Sequence, residues 1–302
     1  MDLNFVRLIF TLRLERDTED RYALFGIKPY FEAAFQQTAR CAGLAASHCR
    51  CPYHLDFSQH LSVDPAALKR YQKPSLPFVF QIPVLPKAPN RGSIVELGLV
   101  LTGSTLNYRA EYLAAVPMML RDSRLIQRVP VALEKVESAD YAGMRIQLPL
   151  SNPDSASGLL AIMSLAGVRE STVLPTGSLS LSILTPMRLM SEGRPLREFS
   201  FPHFIGGLMR RVSSMAYYSG GEELGFDFKW LADRSRLVSC SSAHLRWEEW
   251  CGRWSGFTGG ITFTGDLSEF HLFLLAGEYL NLGKGATFGL GRYTLERPGM
   301  PL

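Results

Sequence analysis

The order of predicted strands and helices repeats once along the chain, and this repeat constrains the fold more than any other feature. In the first half, an apolar strand at 4–15 precedes a helix, two short strands, a second helix and a strand. In the second half, the same order runs from a strand at 178–184 to a strand at 288–295. Alternating hydrophobicity marks the strands, and apolar spacings of three and four mark the helices. The sequence therefore predicts two consecutive β-α-β-β-α-β units.

Each unit has its own set of predicted boundaries. In the first unit we predict a strand at 4–15 with one buried face, a helix from 28 to 46, strands at 78–83 and 94–101, a helix at 108–120 and a strand at 144–150. In the second we predict a strand at 178–184, a helix at 201–218, a hairpin of 244–250 with 260–263, a helix at 269–280 and a strand at 288–295. This pattern is typical of an α+β protein with two tandem ferredoxin-like domains. We place them at residues 1–155 and 156–302, because the stretch between 151 and 157 is rich in Ser, Asn and Pro. The alternative is a boundary slightly later, before Ser178.

Composition and charge exclude several classes of protein. With 46% hydrophobic and 20% charged residues, the chain is neither disordered nor collagen-like. The net charge of +4 permits a polyanionic partner without requiring one. The 25 arginines and 7 lysines favour such a partner, because guanidinium groups bind phosphates bidentately, although codon bias produces the same excess. Charges at Asp2, Arg7 and Arg13 interrupt the apolar N-terminal run, so we expect a cytoplasmic protein with no membrane partner.

Three of the five cysteines lie close together, at Cys41, Cys49 and Cys51. An odd, clustered set does not resemble a secreted disulfide framework. With His54 these cysteines supply four ligand groups within fourteen residues, which is enough for a tetrahedral and purely structural zinc site. The C-x2-C pairs of strong zinc motifs are absent, and Cys41 falls in a predicted helix. We therefore favour simple thiols and expect no cofactor and no metal.

The most specific segment is a glycine-rich tail between the last predicted helix and the last predicted strand. Glycine lets backbone N–H groups approach a phosphate closely, and flanking cations neutralise the phosphate charge. The spacing G-x-G-x-x-x-G-x-G after a helix excludes a dinucleotide fingerprint, and no Gly-Lys-Ser/Thr is present for a P-loop. The alternative is a tight connection that binds no ligand. The residues concerned are Gly283, Lys284, Gly285, Gly289, Gly291 and Arg292.

Three segments carry a resemblance to a known family. They are LLAGEYLNLGKGATFGLGRYTLE near the C-terminus, LTPMRLMSEGRPLREFSFPHFIGGLMRRVSSMAYYSGG at 184–221, and the shorter CPYHLDF at 51–57. Together they resemble the CRISPR-associated RAMP-superfamily endoribonucleases that cut precursor crRNA within its repeats. The resemblance implies tandem ferredoxin-like domains and a metal-independent reaction. In that reaction the ribose 2′-OH attacks the adjacent phosphate, which leaves a 2′,3′-cyclic phosphate and a 5′-OH.

The resemblance also implies where catalytic residues lie. Relatives commonly place their catalytic histidine just after the first helix, where His48 and His54 lie here, and we select His48 as general base or acid. Tyr30 would assist proton transfer or position the 2′-OH, and Lys28 or Arg40 would stabilise the phosphorane. The alternative is that Tyr30 only packs and His48 is an ordinary loop residue.

A basic segment lies between positions 186 and 213, where five arginines are accompanied by only two acidic residues, Glu192 and Glu198. We expect it to contact the RNA backbone, the alternative being a solvated helix face. Its arginines are Arg188, Arg194, Arg197, Arg210 and Arg211. The predicted partners are CRISPR repeat RNA, the crRNA product and other subunits of a CRISPR effector complex. Two alternatives to the endoribonuclease are a non-catalytic crRNA-binding subunit and a zinc-dependent nucleic-acid-binding protein.

Overall fold

A computed structural model describes residues 3–42, 49–71, 74–87, 89–149, 158–250, 252 and 254–297. The helices are α1 (Lys28–Thr38), α2 (Pro52–Phe57), α3 (Pro65–Arg70), α4 (Arg109–Leu120), α5 (Ser123–Arg128), α6 (Leu165–Ser171), α7 (Phe201–Gly220), α8 (Phe228–Ser235) and α9 (His271–Leu280). The strands are β1 (Asn4–Leu14), β2 (Phe78–Gln81), β3 (Ile94–Thr102), β4 (Val131–Ala139), β5 (Arg145–Leu148), β6 (Ile162–Ser164), β7 (Ser178–Met187), β8 (Met190–Ser191), β9 (Arg194–Pro195), β10 (Ser239–Trp250), β11 (Trp254–Thr264) and β12 (Tyr293–Leu295). No described helix has both the length and the hydropathy needed to cross a bilayer.

Two antiparallel sheets with the same topology organise these elements. The first sheet has the order β2-β3-β1-β4-β5, and the second has the order β10-β11-β7-β12. In both, the first strand of the unit lies between its third and fourth strands, which is the order of a split β-α-β fold. The predicted α+β fold with tandem ferredoxin-like domains is therefore confirmed.

The short strand β6 joins the two halves of the chain. It pairs with residues Asn4–Val6 of β1, at the end of β1 that precedes its pairing with β4. The next helix, α6, packs against α9 and adds Leu165 and Val168 to the second core. Residues after the predicted boundary at 155 thus contribute to both domains.

Amphipathic helices cover one face of each sheet. On α1, Phe31 and Phe35 stack with ring centroids 5.8 Å apart inside the first core. On α7, Phe204, Leu208 and Val212 recur every four residues and are fully buried in the second core. The predicted helical spacing therefore identified the buried face of both helices.

The prediction that β1 buries only one face is wrong. Its second face is also covered, because Phe5 packs against Tyr279 of α9 with ring centroids 4.9 Å apart, and Ile9 is 1% exposed. The second domain therefore packs directly on the first sheet. Residues Phe5, Val79 and Val100 belong to the core of the second domain as a result.

Two predicted boundaries need correction, and one strand was not predicted. Helix α1 ends at Thr38 instead of 46, because Arg40 adopts a left-handed φ of 49° and the N–H of Cys41 bonds to the carbonyl of Gln36. The strand predicted at 288–295 begins only at Tyr293, since the preceding residues form the glycine-rich loop. The long strand β4 was missed because charged Glu134, Lys135 and Glu137 interrupt its apolar pattern.

We predict that His271 makes the folded state less stable at acidic pH. Its imidazole is half-buried at the start of α9, Nε2 lies 3.2 Å from the carbonyl oxygen of Pro175, and burial lowers the pKa of the ring. Because the unfolded chain binds the proton more readily, stability is lost as the pH falls through the unfolded-state pKa of about 6.5. Urea unfolding between pH 7.5 and about 5 should show a smaller decline for His271→Gln than for the wild type.

The control is His244→Gln, which changes an exposed histidine on β10. Its decline in unfolding free energy should match that of the wild type. An unchanged decline in the His271 variant would contradict the prediction.

Candidate nucleic-acid interface

The glycine-rich segment between α9 and β12 is a compact loop whose ends touch. The N–H of Leu282 donates to the carbonyl of Gly291 over 2.9 Å. Gly291 has a φ of +68°, and a Cβ there would lie 1.6 Å from the carbonyl oxygen of Leu282. At Gly283, with a φ of +100°, a Cβ would lie 2.6 Å from the carbonyl oxygen of Arg188. Only glycine fits at these two positions, so the backbone conformation of the loop explains why the sequence has glycine there.

Asn281 attaches this loop to the first domain. The side chain is fully buried, and its amide nitrogen donates to the carbonyl of Phe80 over 2.9 Å and to that of Ala286 over 3.0 Å. The N–H of Phe80 also donates to the carbonyl of Thr287 over 2.8 Å, and Phe288 stacks on the Phe80 ring. The loop is therefore held between β2 and the second domain.

A cleft of about 760 Å³ opens beside the loop. The backbone N–H of Lys284 donates to the carbonyl of Arg188 over 3.0 Å, which sets these two residues side by side at its wall. The side chains of Lys284 and Arg210 are exposed, and Arg188 is half-buried. The polar and charged residues of the wall are Tyr71, Ser75, Arg188, Ser191, Glu192, His203, Arg210, Arg211, Ser214 and Lys284.

Arg211 supports this wall from beneath. Its Nε donates to the carbonyl of Leu280 over 2.8 Å, and Nη1 lies 3.4 Å from the hydroxyl of Ser75. Burial lowers the pKa of the guanidinium to about 10, so the group stays charged at neutral pH. Arg211 therefore adds positive potential to the cleft while it fixes the end of α9.

Three arginines predicted to contact RNA lie elsewhere. Arg197 is exposed, with its guanidinium 4.2 Å from the centroid of the Trp247 ring. Arg194 is exposed on the small ribbon of β8 and β9, outside the set of described residues that line the cleft. Arg292 lines a separate cavity of about 200 Å³ with Arg7, Gln81 and Glu278, and burial lowers its pKa to about 10. The structure thus brings together Gly283, Lys284, Arg188, Arg210 and Arg211.

The predicted catalytic residues are spread along α1. Lys28 is exposed at its start, 3.5 Å from Glu32 and 5.9 Å from the centroid of the Phe288 ring in the glycine-rich loop. Tyr30 is half-buried beneath the guanidinium of Arg124, which lies 5.2 Å from the ring centroid. At 1.5 Å per residue, the rise of α1 from Lys28 to Thr38 is about 15 Å, and Arg40 lies two residues beyond the helix, so one phosphate can contact only one of these two cations. The predicted base, His48, lies outside the described residues.

The structure gathers the four side chains considered as zinc ligands. The ligand atoms of Cys41, Cys49, Cys51 and His54 all lie within 4.8 Å of one another. Hydrogen bonding by Cys51 lowers the pKa of the Cys49 thiol to about 7. This cluster adjoins the end of α1 and is the group of residues best suited to hold a metal among those described.

His203 is absent from the predicted site residues. The structure places it in the first turn of α7, on the cleft wall, with Nδ1 2.7 Å from the hydroxyl of Ser200. Ser75 and Tyr71 were missed altogether, because no motif marks the segment that carries them. The Tyr217–Tyr218 pair would have been a signal, since Tyr217 stacks on Tyr71 with centroids 5.0 Å apart.

Two family models cover most of the chain. Residues 181–293 match the family described as CRISPR-associated endoribonuclease Cas6, and residues 5–154 match a second family described as an N-terminal domain. No curated protein sequence matches the chain significantly. The first match includes the arginine-rich segment and the glycine-rich loop, and it confirms the resemblance that those segments carry.

Solved structures share the fold at low sequence identity. Thermus thermophilus Cas6 is 14% identical with a TM-score of 0.57, and the match covers 98% of this chain and 99% of that one. A Cas6 product complex is 15% identical with a TM-score of 0.60, over 98% and 100% of the two chains. A partial Cas6-RT-Cas1–Cas2 complex is 13% identical with a TM-score of 0.60, over 97% of this chain. The present chain spans 46% of that chain and 29% of the matching chain in a second such structure.

We predict that Gly291→Ala lowers the free energy of unfolding by far more than the left-handed backbone angle of residue 291 alone would cause. Gly221, at the end of α7, has a nearly identical φ of +70°, but a Cβ at that position would meet nothing within 4 Å. Gly221→Ala should therefore lose only about 1–2 kcal/mol of unfolding free energy, the cost of a left-handed alanine. Gly291→Ala should lose at least about 2 kcal/mol more, because its Cβ meets the backbone of Leu282.

Urea unfolding of the two variants measures this difference directly. Equal losses would contradict the contact between the two ends of the loop.

Proposed function

Residues 181–293 of this chain match the family of the CRISPR-associated endoribonuclease Cas6, and from that premise we propose that the protein cleaves CRISPR repeat RNA. Its substrate is precursor crRNA, and its reaction is a metal-independent transesterification. The ribose 2′-oxygen bonds to the adjacent phosphorus while the bond from phosphorus to the 5′-oxygen breaks. The products are a 2′,3′-cyclic phosphate and a 5′-OH.

The cleft beside the glycine-rich loop is the observation that carries this proposal. Lys284 and Arg210 are exposed on its wall, Arg188 lies beside them, and Glu192 is the one acidic side chain among the described lining residues. Such an excess of cations attracts a phosphate backbone and releases its counterions. The glycines let that backbone approach the loop closely. This surface therefore supports RNA binding regardless of where the chemistry takes place.

The loop also leads from the cleft towards α1. Lys284 lies at the cleft, whereas Phe288, four residues on, lies beneath the ammonium group of Lys28. RNA that follows the loop would pass the start of α1, where Tyr30 and Lys28 are less than one turn apart. In this arrangement Tyr30 positions the 2′-OH or assists its proton transfer, and Lys28 stabilises the phosphorane.

His48 completes the proposed chemistry as general base or acid. It would either accept the proton of the 2′-OH or donate one to the leaving 5′-oxygen. Arg40, near the other end of α1, is closer to His48 in sequence and is the second candidate for phosphorane stabilisation. Because the whole length of α1 separates Lys28 from Arg40, only one of them serves a given phosphate.

The alternative is a non-catalytic subunit that binds crRNA for an effector complex. The same cleft would serve it, and it would not need His48. The Cas6 chain in the Cas6-RT-Cas1–Cas2 structures is part of a larger assembly, so other CRISPR proteins are proposed partners here as well. The two functions differ in whether the RNA is cut.

We predict that the wild-type protein cuts repeat RNA in EDTA and leaves intact the same RNA with a 2′-deoxyribose at the cut. His48→Ala should slow cleavage at least about 100-fold, the usual contribution of a general acid or base, and keep RNA affinity within about twofold. Gel analysis of end-labelled RNA gives the rate, and filter binding of the 2′-deoxy RNA gives the affinity.

The matched control is His60→Ala, which changes an exposed histidine beyond α2 and should cut at the wild-type rate. Normal cleavage by His48→Ala would show that the catalytic assignment is wrong. Binding of unmodified RNA without any cleavage by the wild type would instead favour the crRNA-binding subunit.

A further inference from the structure

Four metal-ligating side chains converge where α1 ends and α2 begins. The Sγ atom of Cys41 lies 3.6 Å from Nδ1 of His54, and Sγ of Cys51 lies 3.3 Å from the same nitrogen. Cys49 completes the group, and all four ligand atoms lie within 4.8 Å of one another. With metal bonds of about 2.3 Å to sulfur and about 2.0–2.1 Å to nitrogen, a tetrahedral zinc site separates sulfur from nitrogen by about 3.6 Å. The cluster therefore has the dimensions of a zinc site.

The backbone is shaped to bring these residues together. Arg40 turns the chain at the end of α1 with a φ of 49°, which directs Cys41 away from the helix axis. Cys51 is the N-cap residue of α2, and His54 follows one helical turn later, so both side chains lie on one side of that helix. Cys51 and His54 thus form a Cys-x-x-His pair at the start of α2, and Cys41 meets this pair from the end of α1.

Hydrogen bonds between thiols and imidazole do not account for the whole cluster. One imidazole nitrogen accepts a single S–H hydrogen bond, yet two sulfur atoms lie within 3.6 Å of Nδ1 of His54. A disulfide does not account for it either, because the described cysteines are all unbridged. A divalent cation at the centre satisfies the three sulfur atoms and the nitrogen together.

The surroundings suit a Cys₃His zinc centre. Three thiolates and one neutral imidazole around Zn²⁺ carry one net negative charge. The exposed Arg40 and Arg50 are sequence neighbours of the three cysteine ligands. All four ligands are half-buried, so the metal can enter from solvent. Their number leaves no open position for substrate, which is the arrangement of a structural site.

We propose that Cys41, Cys49, Cys51 and His54 bind one Zn²⁺ as a closed structural site. The metal joins the end of α1 to the start of α2. Because Cys41 and Cys49 precede and follow residues 42–48, it also fixes both ends of the segment that carries His48. Its role is to hold the end of α1 against the start of α2, and it takes no part in bond breaking. The proposal goes beyond RNA cleavage and does not depend on it.

The test measures metal in the full-length, tag-free protein, purified under reducing conditions without chelator. Elemental analysis should find about one zinc per chain in the wild type, and at least a tenfold lower content in Cys49→Ser. Cys240→Ser is the matched control, because this exposed cysteine on β10 lies outside the cluster, and it should keep the wild-type content.

A second measurement tests the site even when the zinc has been lost during purification. Co²⁺ added to the reduced, metal-free protein should give the visible absorption of a tetrahedral thiolate complex, saturating at about one equivalent. Cys240→Ser should give the same spectrum, and Cys49→Ser should not. A wild-type protein that contains no zinc and gives no such spectrum would overturn the proposal, as would equal zinc contents in Cys49→Ser and the wild type. These readouts involve no RNA, so their failure is distinct from a failure to cleave.

Discussion

The buried amide of Asn281 is the contact on which the arrangement of the two domains and the candidate site depends. It donates both of its hydrogen bonds to carbonyl groups, one on β2 of the first domain and one inside the glycine-rich loop. A buried carbonyl that loses its donor costs about 1–3 kcal/mol, so the interaction strongly favours this packing. The contact of Gly291 with Leu282 then closes the loop, and the loop in turn places Lys284 beside Arg188. A side chain that touches no RNA thus determines where the cationic surface lies.

Charge in this protein acts locally. The net charge of +4 comes entirely from residues 1–150, which carry 18 basic and 14 acidic side chains, whereas residues 151–302 carry 14 of each. Yet the cleft with its excess of cations is built largely from the neutral half. Arg292 shows the reverse case, since its place in the glycine-rich motif suggested RNA contact and the structure directs it into a cavity with Arg7 and Glu278. The position of a guanidinium relative to the fold therefore decides its role more than its motif does.

The sequence was sufficient to predict the fold class, because the alternating and helical patterns of β7, α7 and α9 stand out clearly. It predicted poorly where tertiary contacts override local pattern. Helix-forming residues continue past Thr38, but the left-handed turn at Arg40 ends α1 there and directs Cys41 towards His54. Strand β4 was missed because its charges pair across the sheet surface, as Glu134 does with Arg13. For the site, the motifs found Lys284, Arg188 and Arg210, but spacing alone could not tell which cations share a cleft. The contribution of Tyr71 and Ser75 to the cleft follows only from the packing of the domains.

The salt dependence of RNA affinity tests the central claim, that the cleft beside the glycine-rich loop holds the RNA backbone. Filter binding of 2′-deoxy repeat RNA across a range of salt concentrations gives the slope of log affinity against log salt for the wild type, Lys284→Ala and Lys229→Ala. Lys284 is exposed in the cleft, and Lys229 is also exposed, on α8 outside it. Loss of one phosphate contact should reduce the slope of Lys284→Ala by about 1 and weaken its binding, while Lys229→Ala matches the wild type. An unchanged slope for Lys284→Ala, or equal changes in both variants, would contradict the account.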